Sequence, residues 1–186
     1  MKIAVIGTGY VGLVSGVCFS DFGHDVTCVD KDADKLAKLR AGEVPIYEPG
    51  LNDLMAKNVA AGRLTFSGDL RAAVNGADAV FIAVGSPARR RDGHADLTYV
   101  MAAAQEIADA LTGYAVVVIK STVPVGTNRQ AKQVIAKQNP TADFDVASNP
   151  EFLREGAAID DFMHPDRIIV GIETERAAAV LSAIYR

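Results

Sequence analysis

The residues best suited to chemistry form a glycine-rich turn followed by an acid. Gly7, Gly9 and Gly12 come between an apolar strand and a helical stretch, and Asp30 closes a second apolar strand eighteen residues later. This G-x-G-x-x-G pattern, with an acid about 20 residues on, is typical of a turn that binds a dinucleotide pyrophosphate. Gly7 permits the tight turn, Gly9 lets the backbone approach the phosphates, and Gly12 lets helix and strand pack closely. The Asp30 carboxylate would accept ribose hydroxyls and repel a 2′-phosphate, which favours NAD over NADP. A glycine turn without a ligand is the alternative, and the flanking elements disfavour it.

The elements that must position this turn alternate between strand and helix along the chain. Apolar strands separated by helices predict an α/β fold, with a doubly wound, Rossmann-type, mostly parallel sheet and helices on both faces. The predicted strands are residues 2–6, 24–29, 64–66, 77–84, 115–119, 144–147 and 167–172. The predicted helices follow the glycine turn and cover residues 32 or 34 to 40, 51–59, 69–75, 97–111, 128–137 and 175–186.

Polar or glycine-rich segments come directly after four of the predicted strands. These segments are the glycine turn, Asp30, Gly85-Ser86-Pro87 and Lys120-Ser121-Thr122. In a doubly wound fold the ligand binds outside the carboxyl ends of the strands. We therefore expect one ligand site at that edge of the sheet.

Composition and charge narrow the classes of partner. The chain is 49% hydrophobic and 23% charged with a net charge of −4, which gives no electrostatic reason to expect nucleic acid or an acidic membrane. No apolar run approaches the roughly 18 residues that a membrane span needs, and the short apolar start is no signal peptide. The acids at 160, 161 and 166 have no metal-binding spacing, so no metal is predicted. The protein is expected to be cytoplasmic.

Five segments follow one another along essentially the whole chain. They read Gly-Thr-Gly-Tyr-Val-Gly at 7–12, Tyr-Glu-Pro-Gly-Leu at 47–51, Val-Gly-Ser-Pro at 84–87 with Asp-Gly-His-Ala-Asp-Leu at 92–97, Lys-Ser-Thr-Val-Pro-Val-Gly at 120–126, and Asn-Pro-Glu-Phe-Leu-Arg-Glu-Gly at 149–156. The last two are far more specific than the glycine turn. Together and in this order, the segments resemble the UDP-glucose/GDP-mannose dehydrogenase family.

The resemblance implies an enzyme that oxidises the C6 alcohol of a nucleotide sugar to the carboxylate and passes two hydrides to two NAD⁺. UDP-glucose is the expected substrate, with GDP-mannose or a UDP-N-acetyl sugar as alternatives, and UDP-glucuronate for polysaccharide biosynthesis is the expected product. Residues 1–186 would be the NAD-binding domain, truncated before a central helix and a C-terminal nucleotide-sugar domain that carries the cysteine nucleophile and a helper lysine. The fragment alone would be inactive and monomeric, and the full-length protein a homo-oligomer.

The resemblance also assigns residues to the cofactor. Tyr10 and Val11 would offer backbone N–H groups to the pyrophosphate. Asp30 would bind the adenosine ribose with Lys35 beside it, although a solvated helix lysine is the alternative for Lys35. Ser86 stands where the family usually has threonine, and its hydroxyl keeps a ribose or phosphate contact available.

A second group of residues is assigned to the reacting end. Thr122 would position a water beside the sugar C6 and touch the cofactor, and Glu155 would contact the nicotinamide end. Glu151 resembles the catalytic glutamate that activates water for thioester hydrolysis. The segment along the nucleotide sugar would include Glu151, Phe152, Leu153 and Arg154.

Simpler interpretations of some residues stay open. Asn149 could cap a helix with Pro150 in its first turn, so that Glu151 and Glu155 would favour the helix dipole. Arg89 to Arg91 are predicted to form a solvated loop rather than a diphosphate site.

The two cysteines are not candidates for the nucleophile. Cys18 lies among apolar residues of the first helix and Cys28 inside the second strand, where free cysteines usually act as small hydrophobes. A non-catalytic NAD(H)-sensing module would therefore explain the missing nucleophile without any truncation. A β-hydroxyacid dehydrogenase is a third possibility, which the segment at 149–156 disfavours.

Overall fold

A computed structural model describes residues 1–86 and 95–186 and contains six strands and eight helices within them. The strands are β1 (Lys2–Ile6), β2 (Asp25–Val29), β3 (Leu64–Ser67), β4 (Ala79–Ile82), β5 (Ala115–Ile119) and β6 (Phe144–Ser148). The helices are α1 (Tyr10–Asp21), α2 (Ala33–Arg40), α3 (Leu51–Ala60), α4 (Leu70–Val74), α5 (Thr98–Ala110), α6 (Thr127–Gln138), α7 (Ala158–Met163) and α8 (Glu175–Ile184).

All six strands lie parallel in one sheet, in the order β3-β2-β1-β4-β5-β6. The chain starts in the middle of the sheet, builds one side through β3, and then crosses to β4 on the other flank of β1. The strand order therefore reverses between β1 and β4, which is where a doubly wound fold binds its ligand. The predicted Rossmann-type sheet is confirmed.

The register brings the carboxyl ends of the central strands to the same level. Ile6 pairs with Val29 of β2 and with Ile82 of β4, and Ile82 pairs with Ile119 of β5. The loops after these four strands consequently meet at one edge of the sheet.

Helices cover both faces of the sheet because its strands are apolar on both sides. Ile3 and Val5 of β1 join one buried cluster, while Ala4 and Ile6 join the other. The first cluster includes side chains from α1, α2, α3, α7 and α8, and the second includes side chains from α4, α5 and α6. These two layers bury both faces of the sheet.

Gly16, which is not part of the glycine-turn pattern, is explained by the close packing of α1 against β2. A Cβ on Gly16 would lie 2.3 Å from Sγ of Cys28, so the helix can rest on β2 only without a side chain there. Both cysteines are free and fully buried.

Two elements differ from the sequence prediction. Residues 167–172, predicted as a strand, contribute only an isolated antiparallel bridge between Gly171 and Ser148. Ile168 and Ile169 are each 43% exposed. The residues of this segment favour β structure, but within the described parts of the chain no neighbouring strand pairs along its length. The short helix α7 was not predicted. The other elements occur where expected, with ends that differ by one or two residues.

Candidate functional site

The glycine turn is held by contacts that exclude side chains at two of its glycines. Gly7 has a φ of +102°, and a Cβ there would lie 2.7 Å from the carbonyl oxygen of Ala83, just after β4. A Cβ on Gly12 would lie 2.0 Å from the carbonyl oxygen of Gly7. At Gly9 a Cβ would have no atom within 4 Å, so this part of the turn faces open space. The turn is tight where it meets protein and open where a ligand would approach.

The N-terminus of α1 presents backbone N–H groups to this space. Leu13 is the first residue that donates along the helix, to the carbonyl of Gly9 at 2.9 Å. The N–H groups of Tyr10, Val11 and Gly12 therefore have no intrahelical acceptor. Gly9 offers no side-chain cap, and the first turn carries no acid. Such an end of a buried helix is suited to an anionic phosphate.

Asp30 lies beside the turn with its carboxylate already oriented. Its Oδ2 accepts the N–H of Thr8 at 2.9 Å and the Thr8 hydroxyl at 2.5 Å. Lys35 donates to the same oxygen at 3.0 Å, and the N–H of Asp32 donates to Oδ1 at 3.1 Å. Burial alone would raise the pKa of Asp30, but these donors outweigh it and lower the pKa to about 2. The side chain is thus a fixed anion at neutral pH.

A cavity of about 830 Å³ joins the turn to the end of β2. This volume lies within the range of small-molecule sites, about 300–1,000 Å³. Five of the predicted cofactor residues line it, together with apolar side chains and residues of α5. The five are Gly7, Gly9, Asp30, Lys35 and Ser86.

A smaller cavity of about 230 Å³ continues from it across the ends of β4 and β5. The two cavities share Gly9 and the segment from Ala83 to Ser86. Predicted cofactor and catalytic residues meet in the smaller one, namely Gly9, Tyr10, Val11, Ser86, Thr122 and Glu151. The structure thus brings Thr122 and Glu151, which are distant from the turn in sequence, close to it in space.

Two loops at this junction are tied together by hydrogen bonds. The Ser86 hydroxyl donates to the carbonyl of Thr122 at 2.7 Å, and Ser121 donates to the carbonyl of Val84 at 2.7 Å. The Thr122 side chain remains exposed at the cavity. Glu151 is half-buried, and its Oε2 accepts the N–H of Leu153 at 2.6 Å.

The segment after Glu151 is not a helix, so the interpretation of Asn149 as a helix cap is wrong. The chain has no regular structure from Glu151 to Arg154, and the next helix begins only at Ala158. Asn149 is instead 2% exposed, and its side chain bonds residues that are distant in sequence. Its amide donates to the carbonyl of Ile169 at 2.9 Å.

The remaining predicted substrate residues are more scattered. Phe152 and Leu153 line a cleft of about 50 Å³ next to Glu151, and Phe152 is 57% exposed. Arg154 pairs with Asp161 at 2.6 Å rather than facing the cleft. Glu155 lines neither of the two joined cavities but a separate one of about 490 Å³, together with Tyr10.

Lys120 and Thr8 are site residues for which the sequence predicted no individual role. Lys120 is 3% exposed, borders the smaller cavity, and donates to Oδ1 of Asn149 at 3.0 Å. Tyr185 donates to the same oxygen at 2.5 Å. Burial lowers the pKa of Lys120 to about 8, against a smaller opposing effect of Glu151. A lysine directly after an apolar strand was the available signal for Lys120, whereas the variable second position of the glycine pattern carried none for Thr8.

Neither cysteine has the setting of a nucleophile. Burial raises the pKa of both Cys18 and Cys28 to about 12, which disfavours the reactive thiolate. Within residues 1–86 and 95–186 there is no group of three or more His, Cys, Asp or Glu that could hold a metal ion. Pro87, the arginine run at 89–91 and the predicted motif residues 92–94 lie outside the described residues.

The fold and the site together define a Rossmann-type dinucleotide-binding domain. Gly9 leaves room for a diphosphate, the helix start offers N–H groups, and the strand-end acid faces the same cavity. A family model for the NAD binding domain of the UDP-glucose/GDP-mannose dehydrogenase family matches residues 1–186. The chain belongs to this family, and the predictions of the family and of NAD as cofactor are confirmed.

Individual relatives show the same likeness. The chain is 62% identical to a UDP-glucose 6-dehydrogenase of Rhizobium meliloti and 51% identical to the UDP-glucose 6-dehydrogenase TuaD of Bacillus subtilis, in each case over 100% of this chain. These matches cover 43% and 40% of the relatives, so the chain spans about two fifths of their length.

Solved structures agree in fold as well as in sequence. A UDP-glucose dehydrogenase from Pyrobaculum islandicum superposes with a TM-score of 0.95 at 44% identity, over 98% of this chain and 43% of that one. A ternary complex of GDP-mannose dehydrogenase from Pseudomonas aeruginosa superposes with a TM-score of 0.95 at 36% identity, over 100% and 44%. These likenesses do not favour a sensing module or a β-hydroxyacid dehydrogenase. Across the described part of the chain, every helix is too short or too polar to cross a membrane.

Proposed function

We propose that this chain is the NAD-binding part of an enzyme that oxidises UDP-glucose to UDP-glucuronate, with two NAD⁺ as hydride acceptors. The observation that carries the proposal is the pair of joined cavities, which connects the glycine turn and Asp30 to Thr122 and Glu151. The dehydrogenase names of the matched relatives support the substrate. NAD⁺ would supply the hydride acceptor, and the residues of this chain would hold it and the reacting end of the sugar.

The cofactor half of the site is proposed to work through charge and close approach. The N–H groups of Tyr10, Val11 and Gly12 would bind the pyrophosphate where no side chain blocks it. Asp30, with Lys35 beside it, would accept the adenosine ribose hydroxyls through its fixed carboxylate. That negative charge would disfavour the 2′-phosphate of NADP. Ser86 would act through the loop that it ties to Thr122.

The reacting half is proposed to manage water and the sugar. Thr122 has an exposed hydroxyl at the smaller cavity, where it would hold a water next to C6 and touch the cofactor. Glu151 shares that cavity, and one of its oxygens is anchored on the N–H of Leu153, which orients the other as a base toward water. Glu155 lines a separate cavity that also includes Tyr10, and from there it would contact the nicotinamide end.

The sugar itself is proposed to lie along the segment of Glu151, Phe152, Leu153 and Arg154. Phe152 is largely exposed beside the cleft and offers an apolar surface for a sugar face. The thiol nucleophile would come from a part of the enzyme beyond residues 1–186, since Cys18 and Cys28 are both buried. We further propose that residues 1–186 form one domain, that the enzyme is cytoplasmic, and that the full-length protein is a homo-oligomer serving polysaccharide biosynthesis.

Calorimetric titration of the chain with NAD⁺ and NADP⁺ tests the proposal. The wild type should bind NAD⁺ and discriminate against NADP⁺. Asp30→Ala should weaken NAD⁺ binding by about tenfold to a hundredfold, the usual effect of losing a charged hydrogen bond. It should also narrow the difference between the two nucleotides.

Asp25→Ala is the matched control, because Asp25 is an exposed acid at the opposite end of the same strand. Its NAD⁺ affinity should equal that of the wild type. A wild-type chain that binds neither nucleotide, or that prefers NADP⁺, would overturn the proposed cofactor site.

A further inference from the structure

Glu48 is a buried carboxylate that caps a helix distant in sequence. It lies in the turn before α3 and is 7% exposed. Its Oε2 accepts the N–H of Gly156 at 2.8 Å, and its Oε1 accepts the N–H of Ala158 at 2.9 Å. Ala157, which precedes α7, provides no side-chain cap of its own. Glu48 therefore performs for α7 the task that a capping side chain usually performs from within the sequence.

The same carboxylate bonds the first residue of α1. The Tyr10 hydroxyl donates to Oε2 of Glu48, and the N–H of Gly156 also reaches the Tyr10 hydroxyl at 3.2 Å. Burial and the bond to Glu48 raise the pKa of Tyr10 to about 12, so the phenol stays protonated and remains a donor. Against the effect of burial, the same hydrogen bonds lower the pKa of Glu48 and keep it an acceptor.

Tyr10 consequently faces two sites at once. Its backbone N–H belongs to the helix start proposed to bind the pyrophosphate, and its side chain reaches the end of the 151–156 segment proposed to bind the sugar. Glu48 thus links Tyr10 and Gly156 directly by hydrogen bonds, although the two residues are distant in sequence.

We propose that Glu48 is a positioning residue that couples the cofactor turn to the 151–156 segment, so that a dinucleotide at the start of α1 stabilises the arrangement of that segment. The inference rests on the proposed function, because it takes NAD⁺ as the ligand of the turn. Coupling of this kind is reciprocal, so a ligand on the segment also strengthens binding at the turn.

Amide hydrogen exchange on the chain, with and without saturating NAD⁺, tests the coupling. In the wild type NAD⁺ should slow exchange at Gly156 and Ala158 by about fivefold or more, the lower end of typical coupling. Tyr10→Phe removes only the hydroxyl, and Glu48→Gln removes the charge. With NAD⁺ at a concentration that saturates each protein, both variants should lose most of the NAD⁺-dependent slowing at these two amides.

Tyr114→Phe is the control, because Tyr114 also donates to a half-buried carboxylate, that of Asp145 at 2.8 Å, away from the turn. Tyr114→Phe should retain the full NAD⁺-dependent slowing. If general destabilisation caused the loss in the other two variants, this variant would lose the slowing as well. If the wild type binds NAD⁺ but Tyr10→Phe and Glu48→Gln respond as it does, the coupling is refuted alone. If calorimetry finds no NAD⁺ binding by the wild type, the proposed function fails and the coupling with it.

Discussion

Neutralising Asp30 should destabilise the free chain in a way that depends on pH. Asp30→Asn keeps the shape of the side chain but removes the charge that Thr8 and Lys35 stabilise. The lowering of the Asp30 pKa from 3.8 to about 2 corresponds to at most about 2.4 kcal/mol at neutral pH. Solvent reaches part of this carboxyl, and screening reduces the expected loss to about 1 kcal/mol.

The sign of the pH dependence follows from the direction of the shift. A carboxyl whose pKa is lower in the folded protein stabilises the fold above its unfolded pKa of 3.8, and this contribution fades as the pH falls through about 2. Urea unfolding of both proteins from pH 6 to pH 2.5 should therefore show a gap in unfolding free energy that narrows toward the acid end. Other carboxyls titrate alike in both proteins and cancel in the difference.

Thr8→Val provides a second measurement on the same group. It removes the hydroxyl donor but keeps the buried volume, so the pKa of Asp30 should rise toward its ordinary value. A gap between wild type and Asp30→Asn that stays constant across this range would refute the reasoning. So would an Asp30 pKa unchanged by Thr8→Val, measured by side-chain carbon NMR.

Three further changes have expected outcomes. Gly12→Ala places a Cβ 2.0 Å from a backbone oxygen, so it should lower the free energy of urea unfolding by about 3 kcal/mol and weaken NAD⁺ binding. An unchanged unfolding midpoint would contradict this close packing. Gly16→Ala should lower the free energy of unfolding by about 1–3 kcal/mol. Adding Cys28→Ala should offset part of this loss because it removes the clashing sulfur, and purely additive effects of the two changes would count against that contact. Lys120→Met should be compared with wild type at pH 7.5 and 9.5. A buried lysine with a pKa of about 8 gives up its charge as the pH rises, so the wild type should gain roughly 1–2 kcal/mol over this range relative to the variant; a constant difference would show that Lys120 titrates normally.

The sheet and the cofactor turn were predictable because their signals are local. Strands such as β1 and β5 are apolar on both faces, and the glycine pattern follows directly on β1. The placement of Thr122 near the turn also followed from the strand pattern, since it comes shortly after β5, whose carboxyl end lies at the same edge. The role of Glu151 was predicted from the family resemblance alone.

The elements that were missed depend on partners distant in sequence. The helix α7 is only six residues long, and its cap comes from Glu48, 110 residues before Ala158. Asn149 is of a residue type that often caps a helix, but its side-chain oxygen instead accepts hydrogen bonds from Lys120 and Tyr185. The predicted strand at 167–172 failed for the opposite reason, because suitable residues lack a neighbour to pair with beyond Gly171.

The central position of β1 has a consequence for how the protein is made. β1 is synthesised before the strands on either of its flanks. It can pair with β2 early, whereas its other flank waits for β4 at Ala79–Ile82. Until then, the turn at Gly7 lacks the Ala83 carbonyl against which it packs. In partly folded domains, unpaired strand edges of this kind are prone to aggregation. The site between β1 and β4 is therefore complete only when both halves of the sheet have formed, so we expect cofactor binding to follow assembly of the sheet.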